Sequence, residues 1–484
     1  MEATQAATHA SCLSIYIHIP YCEAQCIYCD FNTYVGREGQ FAAYVDALCR
    51  EVAETPALLA TTLKADAASN PNLQSAICNL QSRPVSTIFF GGGTPTVLEA
   101  EQLAAILDTV RANYAVAADA EISTEANPGT VTETALRGLR TAGFNRLSMG
   151  AQSLDDAMLV TLGRHHSARE IGEAVQMARA AGFDNLSLDF IFGLPGQTKQ
   201  QWQRDLEGAI VLDVPHLSVY SLIVEQGTPL ARFIKQGRMS VPDDDAAGAM
   251  YDWTRQRLAE AGYQQYEISN WAKSPAFECE HNKAYWRNAD WLAFGPGAHG
   301  HIAGRRYHHI LAPTAYINRI NEGKSTIKEE TLDLRGQASE TMMLGLRMLR
   351  EGVDLGCFHA RFGVPPEGFF ASELDWLAQN ALIVRDTARI RLTERAVPVA
   401  NEVFVKFVLH SFFTIHNLLS GGQHRLRRDA GNAASAVIVL TPEGLTAEEE
   451  GAGLVIGRSD DLPGATALLQ RQVGTIVVEV SRAV

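Results

Sequence analysis

The stretch Cys22-Glu-Ala-Gln-Cys26-Ile-Tyr-Cys29 carries three thiols at CxxxCxxC spacing. Thiolates are soft ligands and favour iron–sulfur clusters and zinc. Three of them on one loop can hold three irons of a [4Fe–4S] cluster and leave the fourth iron open. A structural zinc ion would want a fourth protein ligand to close its tetrahedron, and no further cysteine or histidine follows within the loop. On spacing alone, two other readings stay open: three ordinary thiols, or a zinc site completed from elsewhere in the chain.

A loop of this kind must be held by a strand. The apolar, β-rich run SIYIHI precedes it, and Pro20 ends that run because it cannot donate a ladder hydrogen bond. Further β-rich runs at 86–90, 121–125, 146–149, 186–192 and 217–222 alternate with helical patterns at 40–54, 101–114, 131–142, 168–181 and 200–211. The apolar residues recur at helical spacing, and Gly143 and Gly182 act as stops. Alternating βα units predict a parallel sheet, with a ligand at the C-terminal edge of its strands.

The other chemistry-bearing residues fall at those edges. The second strand runs into Gly91-Gly92-Gly93-Thr94-Pro95-Thr96, where backbone free of Cβ can approach a ligand closely. A plain turn would look the same. Glu125, in TEANPG, reads equally as a ribose or ammonium partner and as a solvated acid. Gln152 directly follows its strand and suits adenosine or ribose contacts. Arg164, in LGRHH, could pair with a carboxylate. Asp189 lies on the apolar strand SLDFIF, where an acid needs a partner or a site. A later stretch is dense in histidine, aromatics and glycine: YEISNWA, then HNKAYW (281–286), then FGPGAHGH (294–301). Aromatic density alone reads as packed core, with His281 a hydrogen-bonded buried histidine.

CxxxCxxC with an aromatic before its last cysteine, directly after the first strand, resembles the radical S-adenosylmethionine (SAM) enzymes. There the amino and carboxylate groups of SAM chelate the open iron, and one electron from the cluster breaks a C–S bond to give a 5′-deoxyadenosyl radical. GGGTPT narrows the resemblance to the oxygen-independent coproporphyrinogen III oxidases and their relatives. It implies Cys22, Cys26 and Cys29 as cluster ligands. It implies Tyr16, Tyr28, Gly92, Gly93, Thr94, Glu125, Gln152, Arg164 and Asp189 as SAM contacts, shared among one or two bound copies. The YEISNWA, HNKAYW and FGPGAHG strings are similar to the haem-chaperone branch of that family. This implies haem as cargo and a haem-accepting protein, of respiratory type, as partner. A neutral imidazole can ligate haem iron, so His281 is the candidate ligand, with His299, His301 and Cys279 as rivals. The competing reading is the oxidase itself, which decarboxylates two propionates to vinyls. Its motif adds a fourth cysteine two positions after the third, where this chain has Phe31. That departure sets the chaperone ahead and puts catalytic turnover in doubt.

The chain has 484 residues and a net charge of −14, with 46% hydrophobic and 20% charged residues. This is the composition of a globular protein, and the acidic balance argues against a nucleic-acid binder. The first ten residues, MEATQAATHA, lack a basic stretch followed by an apolar run. A cytoplasmic, reducing setting is therefore expected, with at most peripheral membrane contact. Cys12, Cys49, Cys78 and Cys357 are scattered without ligand spacing and read as small hydrophobes. The expected organisation is α/β. A partial (β/α), TIM-like radical SAM barrel spans 13–268, after an N-terminal arm (1–12) and with an insertion at 56–84. A cap or connecting region follows at 269–330. A small winged-helix-like domain occupies 331–408, with helices at 335–350 and 367–379 and a hairpin at 382–392. The extension 409–484 has no assigned role, though 436–441, 454–456 and 475–480 read as short strands.

Overall fold

The computed structural model describes residues 12–62 and 80–408, together with three strands of the extension. The expected arm at 1–11 and the middle of the expected insertion, 63–79, lie outside the described residues.

Six β-rich runs form strands β1 (Leu13–Ile19), β2 (Val85–Gly92), β3 (Val116–Ala126), β4 (Arg146–Gln152), β5 (Asn185–Phe192) and β6 (His216–Ser221). Each pairs in parallel with the next. Helices α1 (Phe41–Thr62), α2 (Ala100–Asn113), α3 (Glu133–Ala142), α4 (Asp156–Thr161), α5 (Ala168–Ala180) and α6 (Lys199–Val211) lie in the crossovers. Their starts are written in the sequence. Ser167 with Glu170 and Thr198 with Gln201 make reciprocal capping boxes on α5 and α6, and such caps contribute about 1 kcal/mol each. Gly143 ends α3 at φ 106°, a left-handed position where glycine carries no Cβ penalty. Helix α1 runs through Pro56 to Thr62, into the stretch expected as an insertion.

Beyond β6 come α7 (Pro229–Lys235), α8 (Asp244–Glu260), β7 (Gln264–Glu267), β8 (Asn270–Ala272), α9 (Glu280–Trp286), β9 (Trp291–Phe294), β10 (His299–Ile302), β11 (Arg305–His309), α10 (Pro313–Asn321) and β12 (Ile327–Thr331). The stretch expected as a cap or connection thus feeds strands into the same sheet. Its order is β12-β11-β10-β9-β1-β2-β3-β4-β5-β6-β8-β7. The sheet is open, which gives the partial barrel. β9 lies parallel to β1, and β10, β11 and β12 then alternate antiparallel. Strand signals were hidden here because glycine and histidine interrupt the apolar alternation. On the helix-covered face, Glu51 of α1 secures this added half. Its carboxylate accepts from the Gly295 backbone N–H (2.9 Å), the Tyr316 hydroxyl (2.7 Å) and the Thr326 hydroxyl (2.9 Å), and stands 3.1 Å from His309 Nδ1.

The C-terminal part contains α11 (Leu334–Gly345), β13 (Val353–Asp354), α12 (Leu355–Phe362), α13 (Glu367–Gln379), β14 (Ile383–Arg385), β15 (Arg389–Leu392) and a helix over 400–408. Its sheet, β13-β15-β14, is antiparallel, with the expected hairpin as its wing. In the extension, β16 (Ala436–Leu440) pairs antiparallel with β17 (Val455–Gly457) and with β18 (Ile476–Val480).

Candidate functional site

The loop after β1 brings Cys22, Cys26 and Cys29 to the C-terminal edge of the sheet, each partly buried and free of disulfide. Backbone bonds fix the loop: the Cys22 N–H donates to Tyr34 O (3.1 Å), Ile27 N–H to Leu162 O (3.1 Å) and Leu230 N–H to Ile27 O (2.9 Å). Burial raises the Cys22 thiol, and burial raises Cys29 to about 11. Among the described residues, no three His, Cys, Asp or Glu side chains converge tightly enough to hold a single metal ion.

One hydrogen-bonded chain ties this loop to three strand ends. The Arg164 guanidinium donates to Cys26 Sγ (3.4 Å), Asn127 Oδ1 (2.6 Å) and Gly150 O (2.7 Å). The Asn127 amide donates to Thr94 Oγ1 (2.9 Å), which lies 3.5 Å from Cys22 Sγ. Arg164 therefore faces a thiol rather than a side-chain carboxylate. Asn127 was not singled out from the sequence, because an asparagine before Pro128 reads as turn chemistry.

The glycine run works by close approach. The Gly93 and Thr94 backbone N–H groups donate to Ile19 O and Tyr21 O, both at 2.8 Å. A Cβ on Gly93 would stand 2.4 Å from Tyr21 O, inside any tolerable contact. Gly93→Ala is therefore expected to push the cysteine loop outward and lower iron content after cluster reconstitution by half or more. Wild-type iron content in the purified variant would refute this. Gly92, at φ 108°, lies against the His18 ring, and its N–H donates to Glu125 Oε2 (3.2 Å). Gln152 ends β4 at φ 67°. Such a conformation costs a non-glycine residue about 1–3 kcal/mol and clusters at functional sites.

Behind this edge lies a cavity of about 200 Å³, lined among others by Tyr16, Phe89, Glu125, Asp189, His281 and Tyr285. Burial and the nearby Asp189 carboxylate push Glu125 up to about 8. Asp189 sits mid-strand rather than at an edge and takes hydrogen bonds from the Ser148 and Ser187 hydroxyls (3.1 and 3.4 Å); burial raises it too. Arg146 also lines the cavity, 2% exposed, with its Nε unpartnered. As the first residue of β4 it gave no sign of burial in the sequence. The Tyr16 hydroxyl is 3.0 Å from His18 Nδ1. Tyr28, within the cysteine loop, packs with Met158, Leu162, Ile191 and Leu194.

His281 opens the lower wall. It is 1% exposed, its Nδ1 is 2.8 Å from the Thr87 hydroxyl, and its Nε2 is 2.9 Å from the Tyr285 hydroxyl. Burial lowers it to about 3, so the ring is neutral, but neither nitrogen is free. The rest of the HNKAYW motif anchors α9. Arg347 stacks over the Trp286 ring at 4.3 Å, and Lys283 pairs with Glu278 at 2.9 Å. His301 bonds Ala289 O through Nδ1 (2.8 Å). Cys279 is 1% exposed, with its thiol against Glu121 and raised to about 12 by burial. No helix among the described residues is long and apolar enough to cross a membrane.

Residues 16–208 match the radical SAM superfamily, and residues 332–399 match the HemN C-terminal domain. The chain is 37% identical to the heme chaperone HemW of Bacillus subtilis over 397 residues, covering 82% of this chain and 99% of that relative. It is 34% identical to HemW of Haemophilus influenzae, covering 82% and 98%. It is 40% identical to HemW of Escherichia coli over 291 residues, covering 60% and 70%. Its fold is similar to that of the Escherichia coli coproporphyrinogen III oxidase HemN, with a TM-score of 0.68 and 24% identity over 84% of this chain and 93% of that one. With its parallel half-barrel, cysteine loop and C-terminal part all spanned by such relatives, the chain belongs to the HemW family of the radical SAM superfamily.

Proposed function

We propose that this protein is a haem chaperone: it holds a [4Fe–4S] cluster and SAM, binds haem, and passes it to an acceptor haem protein in the cytoplasm or at the membrane surface. The observation that carries this reading is the near end-to-end similarity to HemW of Bacillus subtilis, 99% of which aligns.

The residues present fit the cluster. Three thiols share one loop, with the Arg164 guanidinium beside Cys26 and no fourth protein donor in the loop. Cys22, Cys26 and Cys29 would hold three irons, and a bound cluster would supply one electron for the cleavage of SAM. The chain's own groups do the rest. Arg164 places a positive charge against the thiolates, which offsets their mutual repulsion. Gly92, Gly93 and Thr94 bring bare backbone to the cluster loop. Gln152 ends β4 with its amide beside Gly150, at the same strand edge. Glu125 and Asp189 offer partly buried carboxyl groups, flanked by Tyr16, where ribose hydroxyls could bind, or an ammonium that would draw Glu125 to its charged form. Phe31 stands where the oxidase motif has a cysteine, and its side chain is 67% exposed.

The test is anaerobic. Cluster-reconstituted protein is given SAM, a reductant and coproporphyrinogen III, and a parallel sample is titrated with haem. One haem bound per chain and no vinyl-bearing product are expected. Repeated turnover to protoporphyrinogen would make the protein an oxidase, and absence of haem binding would end the chaperone reading.

A further inference from the structure

A haem carrier needs an axial ligand that incoming iron can reach. The histidines of this fold differ sharply in that respect. His18, His216, His281, His301 and His309 each have both ring nitrogens at hydrogen-bond distance from a partner. An iron ion would have to break one of those bonds first.

His299 and His308 are placed differently. They are directly opposed in the antiparallel pair β10–β11, so their side chains share a face. Their rings stack at 5.3 Å between centroids, 25° from parallel. His299 is exposed and His308 partly so. Neither ring makes a hydrogen bond to another described residue. Burial, followed by the charges of His308 and Arg306, lowers His299 from its ordinary value. This favours the neutral imidazole, the form that binds iron.

The surroundings match the rest of the ligand. Haem is an apolar disc with an iron at its centre and two carboxylates on one edge. Opposite His308 in β12 lies Lys328, exposed and in no ion pair among the described residues. Arg306 stands opposite His301 but is held by Glu340 at 2.9 Å, with Glu330 opposite it in β12. Two residues past β11 comes Leu311, with 57% of its side chain exposed. Its carbonyl accepts from the Asn32 amide (2.9 Å) and the Tyr34 hydroxyl (3.3 Å), which ties it to the cysteine loop that also carries exposed Phe31. An accessible imidazole and a spare ammonium on neighbouring strands, and two exposed apolar side chains linked through the Leu311–Asn32 bond, therefore lie towards one end of the open sheet.

We propose that His299 is the axial ligand to haem iron, with His308 stacked beside it, Lys328 pairing with a propionate and Leu311 and Phe31 against the porphyrin. The assignment rests on the haem-binding reading above. One Fe–N bond forms as water leaves the iron, and no electron moves.

The experiment titrates ferric haem into the full, cluster-reconstituted chain and follows the Soret band. His299→Ala is expected to shift the band towards water-ligated haem and to weaken binding about tenfold or more, and added imidazole should restore the band. Lys328→Glu should weaken binding without moving the band. His281→Ala should leave the band position unchanged. Retained cluster absorbance in each variant shows that it is folded. An unchanged Soret band and affinity in the His299→Ala/His308→Ala double variant would overturn the assignment, as would loss of the band on His281→Ala alone. If the wild-type chain binds no haem, the chaperone reading falls and the assignment with it. Haem bound normally by the double variant removes only the assignment.

Discussion

Replacing Cys22, Cys26 and Cys29 together by alanine is expected to leave a folded protein that takes up no cluster iron and shows none of the broad visible absorbance of the wild type. The fold should survive because the loop is held by its backbone: Cys22 N–H to Tyr34 O, Ile27 N–H to Leu162 O and Leu230 N–H to Ile27 O do not involve sulfur. The thiols are only partly buried, so their loss opens no large cavity. Iron and sulfide analysis after reconstitution, with circular dichroism on the same sample, checks both halves. Iron retained at more than a small fraction of the wild-type level would sink the ligand assignment. Loss of the fold itself would mean that the loop depends on its sulfurs.

Glu51→Ala is expected to be the most damaging single change outside that loop, at about 3–5 kcal/mol, the usual loss when one partner of a buried ion pair is removed. His309 places Nε2 at 2.9 Å from Ala293 O and Nδ1 at 3.1 Å from Glu51. Both nitrogens face acceptors, which is the arrangement of an imidazolium. Burial alone would lower His309, but the Glu51 carboxylate raises it on balance. Burial alone would raise Glu51, but the charge and hydrogen bond of His309, with the Gly295 N–H and the Tyr316 hydroxyl, lower it on balance.

The two shifts give opposite pH limits. Glu51, lowered on folding, contributes stability that is full above its unfolded value of about 4.3 and is lost as pH falls through the folded one. His309, raised, contributes stability that is full below about 6.5 and is lost as pH rises through its folded value. The wild type should therefore be most stable between those limits. Glu51→Ala should flatten the alkaline arm, because His309 then has no anion to hold its proton. Urea unfolding across pH 4–9 reads this directly. A destabilisation under about 1 kcal/mol, or an unchanged pH profile, would show that the pair is not the tie between α1 and the added strands.

Much of this architecture could be read from residue pattern, and the failures have physical causes. β1 to β6 were legible because strands covered on both faces are nearly continuous apolar runs, as in LSIYIHI and NLSLDFIF. β9 to β12 were not, because one face of β9, β10 and β11 carries Trp291, His299, His301, Arg306 and His308 rather than aliphatic residues. The cysteine loop, the glycine run and Gln152 were visible as types at strand ends, and the structure brings them to one edge. Asn127 and Arg146 escaped notice because their importance lies in three-dimensional partners. Asn127 joins Arg164 to Thr94, while Arg146 is enclosed between Asn185 (3.2 Å) and the cavity. Aromatic density in HNKAYW indicated a packed segment, and both ring nitrogens of His281 bear that out.

The segment that matches the HemN C-terminal domain also meets the strands and helix beyond β6 through charge. Arg347 reaches Glu267 at 3.4 Å, Arg350 pairs with Glu278, and Glu351 pairs with Arg287 at 2.7 Å. All three links run from the turn after α11 to β7 or to the neighbourhood of α9. Glu267 and Glu278 are enclosed, whereas Arg350 is 45% exposed. Dissolved ions weaken the exposed end of such a seam first and barely reach its enclosed carboxylates. Ionic strength therefore acts on this protein as a selective loosener: it frees Arg350 from Glu278 while the parallel sheet, held by apolar contact and backbone ladders, does not register the change.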